Sequence, residues 1–470
     1  MKKLSGLKPE RVFYYFEKIC AIPHGSGNTK QISDFCVEVA KGLKLEVIQD
    51  EMNNVIIKKP ATKGKDNSPT VVIQGHLDMV CEKTPDCDID FLTDGLDIYV
   101  EDGFVKAKGT TLGGDDGIAV AMALAVLEAD DISHPNLEVL FTVDEETGMF
   151  GAEALDGSLI EGRLLINIDS EDEGIFTVSC AGGINAELSL PFETLKNVMP
   201  CYKITVDGLN GGHSGVDIDK GRLNSNKIAA AFLNTLDNFN LVSINGGLKS
   251  NAIPSFTTIV IATNQDILVL AEEFALKNRI DTDDGLKISV EKISKTDFAL
   301  TKEDSEKVVD FLCGVPNGII GWSKNIEGLV ETSLNLGILK TEKEKIVCNF
   351  ALRSSVNSEK YSLLEELEKY VKKFGGEIFS DGNYPAWEYK EDSLLREKMC
   401  KVYHEMYGKK PEIVAIHAGL ECGLLSEKLN GLDAVSIGPD MKDIHTPRER
   451  LSIASVQSLY GYLIKLLGEI

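Results

Sequence analysis

Five short stretches of this chain end an apolar run on carboxylates or imidazoles. They read VVIQGHLDMV with His76 and Asp78, TTLGGDDGIAVAMAL with Asp115 and Asp116, LEVLFTVDEETG with Glu145 and Glu146, LLINIDSED with Asp169, and AVSIGPDMKDIHTPRER with His445. An ionised group against a buried strand is costly unless something pairs with it. Most of these groups are acceptors, so the partner they call for is a metal cation, and their number calls for two. Zinc accepts imidazole nitrogen and carboxylate oxygen, and a catalytic site keeps one position for water. Two ions about 3.5–4 Å apart need a bridging ligand. His76, His445, Glu146 and Asp169, with Asp115 as the bridge, supply two imidazoles and three carboxylates for such a pair. Asp78 stands at i+2 from His76, on the same face of an extended segment, where it can orient the ring. Glu145 and Glu146 are adjacent and point in different directions, so one can ligate while the other serves as a general base. A lone HxD or DEE would be a structural pair or a solvated turn; the ordered set, each at a strand end, carries the reading.

The elements that must position these residues are set by periodicity. Pro9 to Leu43 has helical spacing interrupted by a GSGNT turn, and Leu45 to Lys58 alternates like a pair of strands. Val71–Gln74, Leu137–Val143 and Leu164–Asp169 are short apolar, β-branched runs of the buried-strand type, and Gly117–Glu128 is a helix opened by the Gly-Gly-Asp-Asp turn. Strands alternating with helices predict an α/β fold with a mixed, mostly parallel sheet and flanking helices, which collects ligands at the carboxyl ends of its strands. After CAGGIN the pattern changes. Strands at Tyr202–Val206, Ser255–Thr263 and Gly285–Ile293 and helices at Ser305–Cys313 and Ser358–Phe374 predict an α+β domain. The α/β pattern resumes with helix Ser393–Tyr407, strand Asp433–Ile437 and helix Ile453–Leu467. The expected division is residues 1–183 and 377–470 for the metal-binding domain, with 184–376 inserted as a second domain.

The chain has 470 residues, 43% of them hydrophobic, enough for a large core. Its net charge of −25 disfavours nucleic acid and anionic membrane as partners, because both select clustered Lys and Arg. The 10 cysteines show no CxxC, and most lie in or beside apolar runs, as reduced thiols do. The N-terminus MKKLSGLKPERVFYYFEKIC lacks a continuous apolar segment and so does not read as a signal peptide, and no run is long enough to span a bilayer. A cytoplasmic location is expected.

GHLDMV, LGGDDG, DEETG, NIDSED and IHTP, in that order, resemble the metallo-exopeptidase family that includes aminoacylase, carboxypeptidase G and the bacterial dipeptidases. HSGVDIDKGRLNSNK, NAIPS, YPAWEY and HAGLECG resemble its aminoacyl-histidine dipeptidase branch, also called cytosolic non-specific dipeptidase. The resemblance covers essentially the whole chain. It implies His76, Asp115, Glu146, Asp169 and His445 as metal ligands, Glu145 as general acid/base and Asp78 as the support of His76. It also implies an inserted lid domain, and a cis bond after Asp115. In the lid it implies that His213, between glycines in GGHSG, stabilises the oxyanion, and that Asn251 and Arg353 touch substrate. An Arg in an apolar strand needs a carboxylate, and the substrate C-terminus is a natural bidentate partner for Arg353. His417 and Glu421 resemble a segment lining the substrate side of the pocket. His24, His134 and His404 lie in no motif and receive no role.

The expected activity is metal-dependent hydrolysis of dipeptides with a free N-terminus, Xaa-His and a broad range of others, with two divalent ions, zinc or else manganese or cobalt, as cofactors. The competing readings are an amidase or deacylase of N-acyl amino acids and a non-catalytic peptide- or metal-binding homologue. Short lids in the family dimerise and lend a histidine across the interface. The long insertion here favours His213 acting within its own chain, and a homodimer stays compatible with it.

Overall fold

The computed structural model describes residues 3–470. Met1 and Lys2, which open the stretch read against a signal peptide, lie outside the described residues. The chain divides into two compact units. One comprises residues up to Ser179, Tyr389–Ala415 and Glu421–Ile470; the other comprises Cys180–Glu388 and Ile416–Leu420.

The first unit is built on an eight-stranded sheet in the order Glu46–Gln49, Val55–Lys59, Leu137–Thr142, Val71–His76, Leu164–Asn167, Asp433–Ser436, Ile175–Cys180 and Glu412–Ile416. The central strands run parallel: Val71–His76 pairs with Leu137–Thr142 on one side and Leu164–Asn167 on the other, and Asp433–Ser436 pairs with Leu164–Asn167. Their apolar runs have no solvent-facing side, as a parallel sheet covered on both faces requires. The helix Gly114–Glu128 is buried along nearly its whole length because its GIAVAMALAVL run is apolar all round.

Register decides where the polar ends fall. His76 stands opposite Thr142, and Gln74 opposite Asn167, so Asp169 comes level with His76. The expected strand through Asp169 stops at Asn167, which leaves that carboxylate on the loop beyond the sheet. Glycine at position 75 is required: a Cβ there would lie 2.4 Å from Asp116 Oδ2 and 2.7 Å from the Ala119 Cβ, where the helix start presses on the strand.

The second unit is α+β. Its sheet is antiparallel, in the order Lys287–Ile293, Cys201–Asp207, Thr257–Ala262, Asn240–Gly246, Val330–Thr341, Lys345–Ser354, Gly182–Pro191 and Glu377–Tyr384, with Gly318–Trp322 added beside Val330–Thr341. One core, including Leu188, Ile204, Phe232, Ile259, Phe311 and Phe350, packs the helices Ser225–Leu233, Lys302–Gly314 and Asn357–Lys373 onto it. The return expected at residue 377 is corrected: Glu377–Tyr384 pairs with Gly182–Pro191, and the chain rejoins the first unit at Tyr389. The EIFSDGNY sequence has no strong alternation, so only its partner strand reveals it. Among the described residues no helix is long and apolar enough to cross a membrane.

Candidate metal centre and substrate-facing residues

His76 ends the central strand, and Asp78 sets the orientation of its ring. Nδ1 lies 3.0 Å from the Asp78 carbonyl oxygen and 3.4 Å from Asp78 Oδ1. Nδ1–H therefore donates to Asp78, which leaves the Nε2 lone pair free for a cation. Asp78 does more than orient this ring. Its Oδ1 accepts from the Glu145 amide at 3.1 Å, and its Oδ2 accepts from the Glu146 amide at 3.3 Å and from Ser26 Oγ at 2.7 Å. One carboxylate thus couples the first imidazole to the turn that carries both glutamates. That turn is tight: Gly148 and Met149 both donate to the Glu145 carbonyl.

Asp115 and Asp116 open the long helix with non-helical backbone, and the bond between them is cis, as the resemblance implied. Asp115 faces two histidines at once. Its Oδ1 lies 3.1 Å from His76 Nε2 and its Oδ2 lies 3.1 Å from His445 Nε2. His445 Nε2 is also 2.9 Å from Glu146 Oε1, and His76 Nε2 is 3.6 Å from Asp169 Oδ1. Two atoms bound to one ion at zinc distances of about 2.0–2.2 Å, with tetrahedral angles, lie about 3.3–3.6 Å apart. The spacings here are of that order. Donor atoms of His76, Asp116 and Asp169, of His76, Glu145 and Glu146, and of Asp115, Glu146 and His445 each fall within 4.8 Å of one another. Imidazole nitrogen and carboxylate oxygen suit zinc, manganese or cobalt, so the residues fit a pair of divalent cations.

The charges show the same demand. Burial works to raise the Asp115 carboxyl, but the hydrogen bonds of His445 and His76 outweigh it and hold it well below the usual range. His445 is pushed up to about 10, first by Asp115 and then by Glu146. Asp169 is raised to about 6 by burial, with Asp115 and Glu146 adding repulsion against the pull of His76. Burial, with Asp169, Glu421 and Glu146 nearby, also lifts Glu145 well above the ordinary carboxylate range, against His76. Crowded acids that raise one another are what bound cations relieve. Among the described residues the Glu145 carboxylate has no hydrogen-bond partner.

Several residues of this unit escaped sequence reasoning. Asp116 is fully buried, accepts the His76 amide at 3.1 Å through Oδ2 and leaves Oδ1 without a partner. Glu449 accepts three successive backbone amides of the LGG turn. The second Asp of LGGDDG and the acid in HTPRER were the available signals. Glu421, expected to line the substrate side of the pocket, is fully buried: Oε2 accepts from Gln74 Nε2 at 2.6 Å and from Thr142 Oγ1 at 2.7 Å, Oε1 has no partner, and its charge acts on Glu145. HAGLECG has the polarity of a loop, and only the tertiary fold draws its glutamate under the sheet.

The other expected residues lie in the second unit. His213 sits on a two-residue strand paired with Ala252–Ile253, and Ser214 donates to the Asn251 carbonyl at 2.9 Å, so His213 and Asn251 are neighbours. Its Nδ1 accepts from the amides of Gly215 at 3.2 Å and Val216 at 3.3 Å, which places the ring proton on Nε2. Burial, and then the charge of Arg353, lower its pKa, so the ring is a neutral Nε2–H donor. Arg353, on Lys345–Ser354, donates from one terminal nitrogen to Tyr384 Oη at 3.0 Å; its buried Nε has no partner, and among the described residues it forms no ion pair. It opens on a cavity of about 510 Å³ lined also by Asn185, Lys249, Asn251 and Tyr384. Two cations beside amide groups suit a carboxylate. His417 is buried against Ser333 Oγ at 2.7 Å, and burial followed by Arg353 depresses it to about 3.

The sequence matches peptidase family M20/M25/M40 over residues 72–469. The chain belongs to this family. It is 38% identical to the cytosol non-specific dipeptidase of Escherichia coli (strain K12), an alignment that spans 100% of this chain and 99% of that protein. The crystal structure of aminoacylhistidine dipeptidase from Vibrio alginolyticus superposes with a TM-score of 0.94 at 37% identity, covering 99% of this chain and 98% of the other. Aminopeptidase PepT from Bacillus cereus shares the fold, with a TM-score of 0.60 at 17% identity, covering 98% of this chain and 99% of that one. As an M20-family enzyme, the chain has the mixed α/β architecture expected of it.

Proposed function

We propose that this M20-family enzyme hydrolyses dipeptides with a free N-terminus, Xaa-His among a broad range of others, in the cytoplasm. The observation that carries the reading is Asp115, whose two oxygens each face a different histidine 3.1 Å away, with the unpartnered Glu145 beside them. His76, Asp115 and Asp169 would hold one divalent cation, and Asp115, Glu146 and His445 the other. Zinc is the first choice and manganese or cobalt the alternatives; when bound, such ions supply Lewis acidity and lower the pKa of water. Glu145 takes the proton of the attacking water as it adds to the peptide carbonyl carbon. The same carboxyl returns a proton to the amine as the C–N bond breaks. Asp78 holds His76 and the Glu145 turn in fixed orientation. The His213 Nε2–H is the donor assigned to the developing oxyanion, and Arg353 is the partner assigned to the substrate C-terminal carboxylate, with Asn251 beside it. His417 acts through Ser333 on the strand next to Arg353. The ten free cysteines and the cytosolic relative support the location.

The test is a substrate panel of carnosine, Ala-His, Gly-Leu, a tripeptide and an N-acetyl amino acid, assayed with chelated and with Zn2+- or Mn2+-loaded protein. Metal-dependent cleavage confined to unblocked dipeptides is the expected result. Cleavage of the N-acetyl compound alone would replace the dipeptidase reading with a deacylase.

A further inference from the structure

The His445 segment and the Asp115 turn are 330 residues apart in sequence, yet both must present a ligand to the same centre. His445 lies in a hairpin between Met441–Lys442 and Arg450–Ser452, which continues through Phe104–Ala107 into a four-stranded sheet. Glu449 is the last residue before the returning strand and is only 4% exposed. Its amide donates to the Thr446 carbonyl at 3.0 Å, and the Thr446 hydroxyl donates to the Asp443 carbonyl at 2.7 Å, so the loop from Asp443 to Glu449 is internally braced.

The Glu449 side chain leaves this hairpin and enters the turn before Asp115. Oε2 accepts from the Leu112 amide at 2.6 Å and the Gly113 amide at 3.2 Å, and Oε1 accepts from the Gly114 amide at 2.8 Å. Three successive amides converging on one carboxylate form a backbone nest. The two glycines make the nest. Gly113 has φ +67°, and a Cβ on Gly114 would stand 3.2 Å from Glu449 Oε1. LGGDDG is therefore shaped on one side by its own ligand and on the other by a carboxylate from the opposite end of the chain.

We propose that Glu449 is a positioning residue for the metal pair: its carboxylate clamps the turn presenting Asp115 to the hairpin presenting His445. This rests on the reading of Asp115 and His445 as ligands. Residues that orient ligands without touching the ion typically contribute about 10- to 100-fold to metal affinity.

Glu449→Gln keeps the volume but puts an amide NH2 among N–H donors. Glu449→Asp keeps the charge with a shorter reach. The full-length variants are titrated with Zn2+ against a competing chelator, their Co2+-loaded visible spectra are recorded, and the melting temperatures of the metal-free forms are compared. Glu449→Gln is expected to bind about 10- to 100-fold more weakly, with an altered Co2+ spectrum, and Glu449→Asp is expected to recover part of both. If Glu449→Gln does not fold, Glu449→Asp decides alone, by weaker binding and a shifted spectrum. Wild-type affinity and spectrum in the folded variants, with only a lower melting temperature, would reduce Glu449 to a fold-stabilising residue. A wild-type protein that binds no divalent cation would instead overturn the ligand assignment itself.

Discussion

The residues proposed to hold the metal pair and those proposed to face substrate are built on opposite principles. In the first unit, carboxylates and imidazoles crowd together, and the chain itself engages most of them: Asp78 binds two amides and a hydroxyl, and Asp115 meets two histidines. Around that centre the atoms left without partners include carboxyl oxygens, Asp116 Oδ1 and Glu421 Oε1, whereas in the second unit they include the Arg353 Nε donor and His417 Nδ1. The difference matches the two tasks. A pair of cations needs rigid donors with surplus negative charge, held before the ions arrive. A substrate needs donors left unsatisfied until it binds, because a carboxylate already paired with Arg353 would have to be displaced.

Breaking the first region should have the largest effect. Stripping divalent metal with a chelator is expected to abolish dipeptide turnover, with recovery on adding Zn2+, Mn2+ or Co2+; turnover that survives complete removal would contradict the centre. Next comes Glu145→Gln, expected to lower kcat by about 10²- to 10⁴-fold while metal content, measured by elemental analysis, stays at the wild-type value. Loss of metal along with rate would make Glu145 a ligand.

The second region should respond more selectively. His213→Ala is expected to cost about 10²- to 10³-fold in kcat, with little change in metal content. Because burial and Arg353 lower the His213 pKa from its ordinary value, its neutral donor form predominates at neutral pH and is lost as the pH falls through the lowered value. An acid limb at or above pH 6.5 that vanishes in His213→Gln would break this assignment. Arg353→Ala should raise KM for dipeptides by about 10- to 100-fold, the worth of a charged hydrogen bond of roughly 1.5–3 kcal/mol. It should also erase the preference for a free C-terminus over a C-terminal amide. Tyr384→Phe, which removes the hydroxyl that holds Arg353, is the smallest change, about 1 kcal/mol or several-fold in KM, measured with the same dipeptide pair.

Much of the first unit was legible because its chemistry interrupts its hydrophobicity. VVIQGH, LEVLFT and LLIN read as buried strands by composition alone, and the acids just beyond them could only be explained by a counter-charge. Asp78, the Glu145–Glu146 pair and Asp115 were readable for that reason. Asp116, Glu449 and Gln74 were not. Their functions depend on which distant backbone or side chain they meet, and a single acid in HTPRER carries no sign of the nest it fills. The second unit was read mainly through resemblance to a family, since GGHSG, NAIPS and YPAWEY show no periodicity from which to infer roles. The strand Glu377–Tyr384 was missed because an edge strand takes its conformation from its neighbour's hydrogen bonds rather than from its own alternation.

The sequence by itself determined the kind of chemistry: a mostly parallel α/β sheet ending in imidazoles and carboxylates, a demand for cations, two adjacent glutamates pointing in different directions and an inserted α+β segment. Tertiary structure alone decided which acids face which histidines, that the His76 ring offers Nε2 and the His213 ring carries its proton there, that Glu421 is buried and that Glu449 grips the LGG turn. Residue type and local period are short-range properties that a chain carries with it. Tautomers, shared carboxylates and clamps across hundreds of residues exist only once strand register has set the distances.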